Sequence, residues 1–164
     1  MDIQQLTLLE IQNFIIENLI SDSSRLALKK NPFPGINYNE IIHQIVSKKK
    51  AKAKLPTWFA TSNIIYPEKI YIEQTSSETT AKYKASLVSG ENLIDCTGGF
   101  GIDDYYFAQQ FKSVIHCEIN TELSEIVQHN YKQLKIENIT CISGDSSDVL
   151  VNLNQRFDCV YVDP

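Results

Sequence analysis

A glycine-rich turn between an apolar segment and a helical segment constrains this chain more than any other feature. Residues 93–101 read Leu-Ile-Asp-Cys-Thr-Gly-Gly-Phe-Gly. The apolar residues predict a buried strand, and the glycines predict a tight turn into a helix. Glycine lets the backbone approach a ligand closely, and the free N–H groups of the following helix attract an anionic group. The turn therefore predicts a binding site for a nucleotide-like ligand.

Short apolar runs alternate with helical segments after Gly90. The expected strands span 92–96, 113–118, 139–143 and 157–162, and the expected helices span 102–110, 121–134 and a shorter segment after Asp145. This alternation is typical of βαβ units, which build a parallel sheet. We therefore expect an α/β fold in this part of the chain.

The N-terminal part has helical spacing instead. Apolar residues predict an amphipathic helix over 6–19, with Thr7 and Glu10 as a capping box at its start. Asn39 is expected to cap a second helix, which continues into a basic segment.

A third helix is expected from about 76 to 88, with Thr75 and Glu78 as its caps. The change of pattern divides the chain into an N-terminal helical region, 1–74, and a ligand-binding half-domain, 75–164.

Charge is distributed unevenly between the two halves. Residues 1–90 carry a net charge of +3 and residues 91–164 a net charge of −8. The basic segment contains Lys48, Lys49, Lys50, Lys52 and Lys54. Its lysines predict an RNA contact, in which they neutralise phosphates while Trp58 or Phe59 stacks on a base. A solvated helix face is the alternative interpretation of the same run.

Acidic residues follow the later strands at positions suited to a nucleoside. Glu118 ends the second strand, 23 residues after Asp95, close to the spacing of a carboxylate that binds ribose hydroxyls. Asp145 follows the third strand, where it could accept a hydrogen bond from an adenine amine. Asp163 and Pro164 end the fourth strand beside the glycine turn. Together these residues predict an adenosine pocket.

In this order, the four motifs resemble those of the class I S-adenosylmethionine-dependent methyltransferases, over residues 75–164. The resemblance extends to RNA and cap-like guanosine methyltransferases, among them trimethylguanosine synthases and bacterial proteins with a THUMP-like domain. It implies a partial Rossmann-like methyltransferase sheet with strand order 3-2-1-4 and the N-terminal α-helical region beside it. It also implies S-adenosylmethionine as cofactor and methyl transfer, with RNA as the expected substrate.

The resemblance assigns roles to individual residues. The glycine turn would hold the methionine portion of the cofactor, Glu118 the ribose and Asp145 the adenine amine, and Asp163 would face the transferring methyl group. The implied catalytic residues are Asp163 and Pro164. The implied cofactor-binding residues are Asp95, Thr97, Gly98, Gly99, Phe100, Gly101, Glu118, Ile119, Asp145 and Ser146. Gln74, Ser76 and Ser77 lie where the resembled family closes over its cofactor.

Two rival functions are open at this point. The chain could be a nucleic-acid-binding module that works through the lysine run, with a structural, non-catalytic Rossmann-like half. It could instead bind NAD, although the position of a third glycine holds Asp104, an anion that would oppose a pyrophosphate. A P-loop is excluded because no Gly-Lys-Ser/Thr follows the glycines.

The sequence predicts a cytoplasmic protein. No apolar run reaches the roughly 20 residues that span a bilayer, and the N-terminus lacks the order of a secretory signal. The four cysteines lack C-x-x-C or zinc-ligand spacing, which predicts reduced, buried thiols inside the strands and no metal. The resembled family adds strands after the fourth, so we expect a fragment whose exposed sheet edge permits self-association.

Overall fold

A computed structural model describes residues 1–163, and ten helices and four strands lie within that part of the chain. The helices are α1 Ile3–Leu6, α2 Leu9–Glu17, α3 Ser23–Ala27, α4 Tyr38–Lys54, α5 Pro56–Ala60, α6 Lys69–Gln74, α7 Glu78–Ser86, α8 Ile102–Phe107, α9 Thr121–Gln133 and α10 Ser146–Leu153. The strands are β1 Gly90–Asp95, β2 Phe111–Glu118, β3 Ile139–Ser143 and β4 Cys159–Tyr161.

The four strands form one parallel sheet in the order β3-β2-β1-β4, which confirms the expected α/β fold and strand order. Asp95, the last residue of β1, pairs with His116 on one side and Tyr161 on the other. Glu118 pairs with Ser143 in the same way. The carboxyl ends of the strands therefore lie together along one edge of the sheet, where ligands bind in open α/β sheets.

Both faces of the sheet are covered. One buried cluster joins Leu93 and Val114 to α8, α9 and the N-terminal helices, with Trp58 wholly buried within it. A smaller cluster on the other face joins Ile94 and Ile115 to α10. The N-terminal helical region thus packs on the first face and shares its core. The boundary between residues 74 and 75 stays a prediction.

The capping box predicted for the first helix is wrong, because the chain breaks there into α1 and α2. The Thr7 hydroxyl donates a hydrogen bond to the Ile3 carbonyl, 2.9 Å away, and so serves the end of α1. Leu8 precedes α2 without a side-chain hydrogen bond. The Gln12 amide holds the break by donating to the Leu6 carbonyl at 2.7 Å.

Two other predicted caps are displaced. Asn37, not Asn39, caps α4, since its side chain accepts a hydrogen bond from the Asn39 N–H. Ser77, not Thr75, caps α7 by accepting from the Thr80 N–H. The residue types were suited to capping, but periodicity alone placed each cap two residues away from its position in the structure.

The four cysteines are free, yet they are less buried than predicted. Cys117 in β2 is buried, and burial raises its pKa to about 12. Cys141 in β3 and Cys159 in β4 are half-buried. Cys96 lies just after β1 rather than inside it, because β1 ends at Asp95.

Among residues 1–163, no helix combines the length and apolarity that crossing a membrane requires.

Candidate functional site

A cleft of about 590 Å³ opens at the carboxyl ends of the strands. Its volume lies in the range of small-molecule and cofactor sites. Ten of the predicted site residues line it: Asp95, Thr97, Gly98, Gly99, Phe100, Glu118, Ile119, Asp145, Ser146 and Asp163. Gly101 does not line the cleft but begins α8 behind it. Pro164 lies outside the described residues.

Glu118 is held in place by two backbone N–H groups. One carboxylate oxygen accepts a hydrogen bond from Gly99 at 2.9 Å, and the other accepts from Asn120 at 2.8 Å. These bonds join the end of β2 to the glycine turn. A carboxylate oxygen has more than one lone pair, so both oxygens can still accept from ligand hydroxyls.

The glycine turn requires glycine at two positions. A side chain at Gly98 would overlap the ring of buried His116, on which the turn rests. Gly101 has a φ of +76°, and a side chain there would overlap the Tyr131 hydroxyl. Gly99 (φ +55°) has open space where a side chain would stand, with only the Thr97 carbonyl oxygen nearby, at 3.7 Å. The turn therefore packs closely against His116 and Tyr131 on its buried side, and it leaves open space at Gly99 on the side of the cleft.

A buried group of Asp95, Asp104 and His116 supports this turn from beneath. Burial lowers the pKa of His116 to about 4, so its ring is neutral near pH 7, and its Nδ1 lies 2.7 Å from Asp104 Oδ2. Burial raises the pKa of both aspartates, and the charge of Asp104 raises that of Asp95 further. Asp95 also accepts a hydrogen bond from the Thr97 N–H at 2.7 Å, which fixes the first step of the turn.

Asp104 does not act as the sequence suggested. Its side chain is fully buried and does not line the cleft, so its charge does not face a ligand there. Asp103, the preceding residue, lines the cleft instead. The acidic character that opposes a pyrophosphate therefore comes from Asp103 together with Glu118 and Asp163.

Asp145 stands at the far side of the cleft and caps α10. It accepts a hydrogen bond from the Ser147 N–H at 2.8 Å, and this bond holds the pKa of the carboxyl below its ordinary value. The carboxylate is thus ionised at neutral pH and exposed at the cleft wall. It can accept a hydrogen bond from an amino group of a bound ligand.

Asp163 lies in a network that the sequence did not reveal. Its carboxylate accepts hydrogen bonds from Lys84 Nζ at 2.7 Å and from the Tyr161 hydroxyl at 3.0 Å. Lys84 also donates to Ser76 Oγ at 2.9 Å and approaches Asp103 Oδ2 at 3.1 Å. Hydrogen bonds from Lys84 and Tyr161 hold the pKa of Asp163 below its ordinary value.

Helix α6, which the sequence analysis missed, forms another wall of the cleft. Tyr71 and Gln74 from α6 line it, together with Thr75 and Ser76 from the segment before α7. The Tyr71 hydroxyl accepts a hydrogen bond from the Asn120 side chain at 2.9 Å, which ties α6 to the end of β2. At six residues, α6 is too short for helical periodicity to identify.

Most of the lysine run contacts the protein itself. Lys48 donates to the Phe59 carbonyl at 3.0 Å, and Lys49 contacts the Ser21 carbonyl oxygen. Lys50 pairs with Glu73 at the end of α6, 3.0 Å away. Within residues 1–163, Lys52 is the member that makes no hydrogen bond.

The prediction that Trp58 stacks on a base is wrong, because its side chain is fully buried. Phe59 is half-buried, and the ammonium groups of Lys48 and Lys52 lie 5.4 and 5.9 Å from its ring centre. An RNA contact through the lysine run stays a prediction. Four of the five lysines in the run make hydrogen bonds within the protein.

Replacing Lys54 with methionine should lower the free energy of unfolding by about 0.5–1 kcal/mol. Lys54 Nζ donates to the Ile72 and Glu73 carbonyls at 2.9 and 2.8 Å, which otherwise end α6 without partners. Urea denaturation measures the change, with Lys52→Met as the matched control that removes a charge but no hydrogen bond. Equal midpoints for the two variants would contradict this capping role.

Comparison with known proteins gives a consistent picture. Residues 90–164 match the family model of RNA cap guanine-N2 methyltransferases. A crystal structure of a candidate methyltransferase from Porphyromonas gingivalis W83 superposes with a TM-score of 0.86 at 26% identity, covering 100% of this chain and 41% of that one. These matches support a class I S-adenosylmethionine-dependent methyltransferase.

Two relatives of the chain are named for RNA. Ribosomal RNA small subunit methyltransferase J of Francisella tularensis subsp. novicida is 30% identical over an alignment of 80 residues, with coverage of 44% of this chain and 33% of that protein. An uncharacterized RNA methyltransferase of Clostridium tetani is 28% identical over 153 residues, 92% of this chain and 31% of that protein. The chain thus spans about a third of the length of these curated relatives.

The chemistry of the cleft fits an adenosyl sulfonium cofactor. Acidic side chains at the wall, Asp103, Glu118, Asp145 and Asp163, suit a ligand with a positive charge, hydroxyl groups and an amine. The open space in front of Gly99 leaves room for the ligand beside the turn.

Proposed function

We propose that this chain binds S-adenosylmethionine and forms the cofactor-binding part of an RNA methyltransferase that acts on an exocyclic amine of guanine. The proposal depends most on the position of Glu118. Its carboxylate is fixed by hydrogen bonds from Gly99 and Asn120 at the wall of a cleft of cofactor size. The matching family, described as RNA cap guanine-N2 methyltransferases, supports the choice of acceptor.

Each side of the cleft has a distinct task in this proposal. Glu118 would accept hydrogen bonds from ribose hydroxyls, and Asp145 would accept one from the adenine amine. The turn at Gly98 and Gly99 would leave space for the methionine portion. The bound cofactor would supply an electrophilic methyl group on a positively charged sulfur.

Asp163 would serve the acceptor. Its ionised carboxylate is more than half exposed, at 57%, and can accept a hydrogen bond from an N–H of the incoming amine. This orients the nitrogen lone pair towards the methyl group, and positioning of this kind supplies much of the rate of a displacement. The same carboxylate, or water beside it, can take the proton that the amine releases. The Asp163 backbone N–H donates to Thr97 Oγ1 at 2.8 Å, which ties this segment to the glycine turn.

Isothermal titration should detect saturable binding of S-adenosylmethionine and S-adenosylhomocysteine to the purified chain, with little or no binding of NADH. The acidic wall favours a cationic sulfonium and disfavours a pyrophosphate. NADH binding without S-adenosylhomocysteine binding would overturn the proposed cofactor.

The acceptor can be tested with two matched RNAs. We expect the protein to transfer tritium from labelled S-adenosylmethionine to a transcript that contains guanosine. A transcript with inosine in its place lacks the exocyclic amine and should accept none. Equal labelling of both RNAs would contradict the exocyclic amine of guanine as the methyl acceptor.

A further inference from the structure

Lys84 is a cation that contacts Asp163 at the acceptor side of the cleft. It lies on α7, 79 residues before Asp163, yet its ammonium group contacts the Asp163 carboxylate at 2.7 Å. The Lys84 side chain is only 24% exposed. Removing such a group from water is costly unless it is paired, and here it is paired with two carboxylates.

We propose that Lys84 is a positioning residue for methyl transfer, and that its ammonium group fixes the Asp163 carboxylate in the orientation and ionised state that the acceptor amine requires. This inference rests on the proposed function for its role in catalysis. The contact itself is independent of cofactor and RNA.

The geometry explains why a single cation suffices for both carboxylates. Asp103 Oδ2 lies 3.1 Å from Lys84 Nζ, and Asp103 also accepts a hydrogen bond from Ser76 at 3.0 Å. The Tyr161 hydroxyl lies 2.6 Å from Lys84 Nζ and 3.0 Å from Asp163 Oδ2, so it bridges the cation and the carboxylate. Lys84 is therefore held by fixed partners from α8 and β4 before it meets Asp163.

The groups around Asp163 act on it in opposite directions. Lys84 from α7 favours its ionised form, as does the hydrogen bond from Tyr161. Asp103 from α8 is a like charge close to the same ammonium group. Burial opposes the charge on Lys84, but hydrogen bonds to Asp163, Tyr161 and Asp103 outweigh it and raise the lysine's pKa. The lysine thus keeps its charge throughout the range in which Asp163 titrates.

Carboxyl NMR titration of the ¹³C-labelled chain tests the electrostatic part directly. We expect Asp163 to titrate below the ordinary aspartate range in the wild type and in Lys84→Arg, and at clearly higher pH in Lys84→Met. Lys82→Met, on the exposed side of the same helix, is the matched control and should leave Asp163 unchanged. If Lys84→Met loses its near-ultraviolet circular dichroism, Lys84→Gln takes its place. An Asp163 titration that is the same with and without the lysine charge would overturn the proposal.

Kinetics test the catalytic part. We expect Lys84→Met to lower kcat for methyl transfer by between about tenfold and 100-fold while the KM for S-adenosylmethionine changes little. The acidic limb of its pH–rate profile should move to higher pH, because the pKa of Asp163 rises when the lysine charge is removed. Lys84→Arg should restore both kcat and the pH–rate profile. An unchanged kcat and profile would overturn the positioning role. Wild-type protein without transferase activity would instead count against the proposed function, and the titration would stand.

Discussion

Alanine in place of Glu118 is expected to weaken the binding of S-adenosylhomocysteine by at least about 100-fold, because two hydrogen bonds to a charged group are lost and each contributes about 1.5 kcal/mol or more. The effect is large because Glu118 is already oriented by Gly99 and Asn120, at 2.9 and 2.8 Å, before any ligand binds. A preorganised acceptor loses little side-chain entropy on binding. Titration calorimetry measures the change in Kd.

The control must separate ribose binding from support of the turn. Glu118→Gln keeps an acceptor for one backbone N–H but lacks the charge, so its affinity should fall between those of the wild type and the alanine variant. Glu125→Ala removes an exposed carboxylate from α9 and should bind normally. Wild-type affinity in Glu118→Ala would exclude the ribose role for this residue.

The sheet could be predicted because its strands are short apolar runs bounded by turn residues. β3 has the predicted bounds, Ile139–Ser143. β1 and β2 begin two residues earlier than predicted, at Gly90 and Phe111, which pair with each other. Hydrogen-bond pairing between backbones, rather than side-chain type, decides where a parallel strand begins. A single sequence does not show which backbone positions pair.

The principal cleft residues could also be predicted, because parallel strands bring their carboxyl ends together. Asp95, Glu118, Asp145 and Asp163 each follow or end a strand, so their positions in the chain imply their positions in space. No such rule predicts the position of Lys84. It lies on a helix outside the sheet, and only the packing of α7 against α8 brings it to Asp163.

The lysine run illustrates a limit of charge patterns. Its spacing shows five cations close together but does not show their partners. Lys54 binds backbone carbonyls at the end of α6, and every residue type carries such acceptors. Helix α6 and its contact with Lys54 therefore could not be predicted from the types of side chain in the sequence. A solvated, ligand-binding or structural role would look the same in the sequence.

Alanine in place of Gly101 is expected to lower the free energy of unfolding by about 3–4 kcal/mol. Gly101 has a φ of +76°, where an alanine side chain costs about 1–2 kcal/mol. The added carbon would also overlap the Tyr131 hydroxyl and lie 2.9 Å from both Tyr131 Cζ and Val127 Cγ1. Tyr131 is 4% exposed, and its hydroxyl donates to the Gly101 carbonyl at 2.8 Å, so it cannot move aside without losing that bond.

Gly35 provides a matched control for the Gly101 variant. It has a φ of +88°, also in the left-handed region, but nothing lies within 4 Å of the position that its side chain would take. Gly35→Ala should therefore lose only the backbone contribution of about 1–2 kcal/mol. Urea denaturation of both variants isolates the packing contribution as their difference. Equal losses would mean that α9 yields at Tyr131, and that close packing behind the glycine turn does not hold the start of α8 in place.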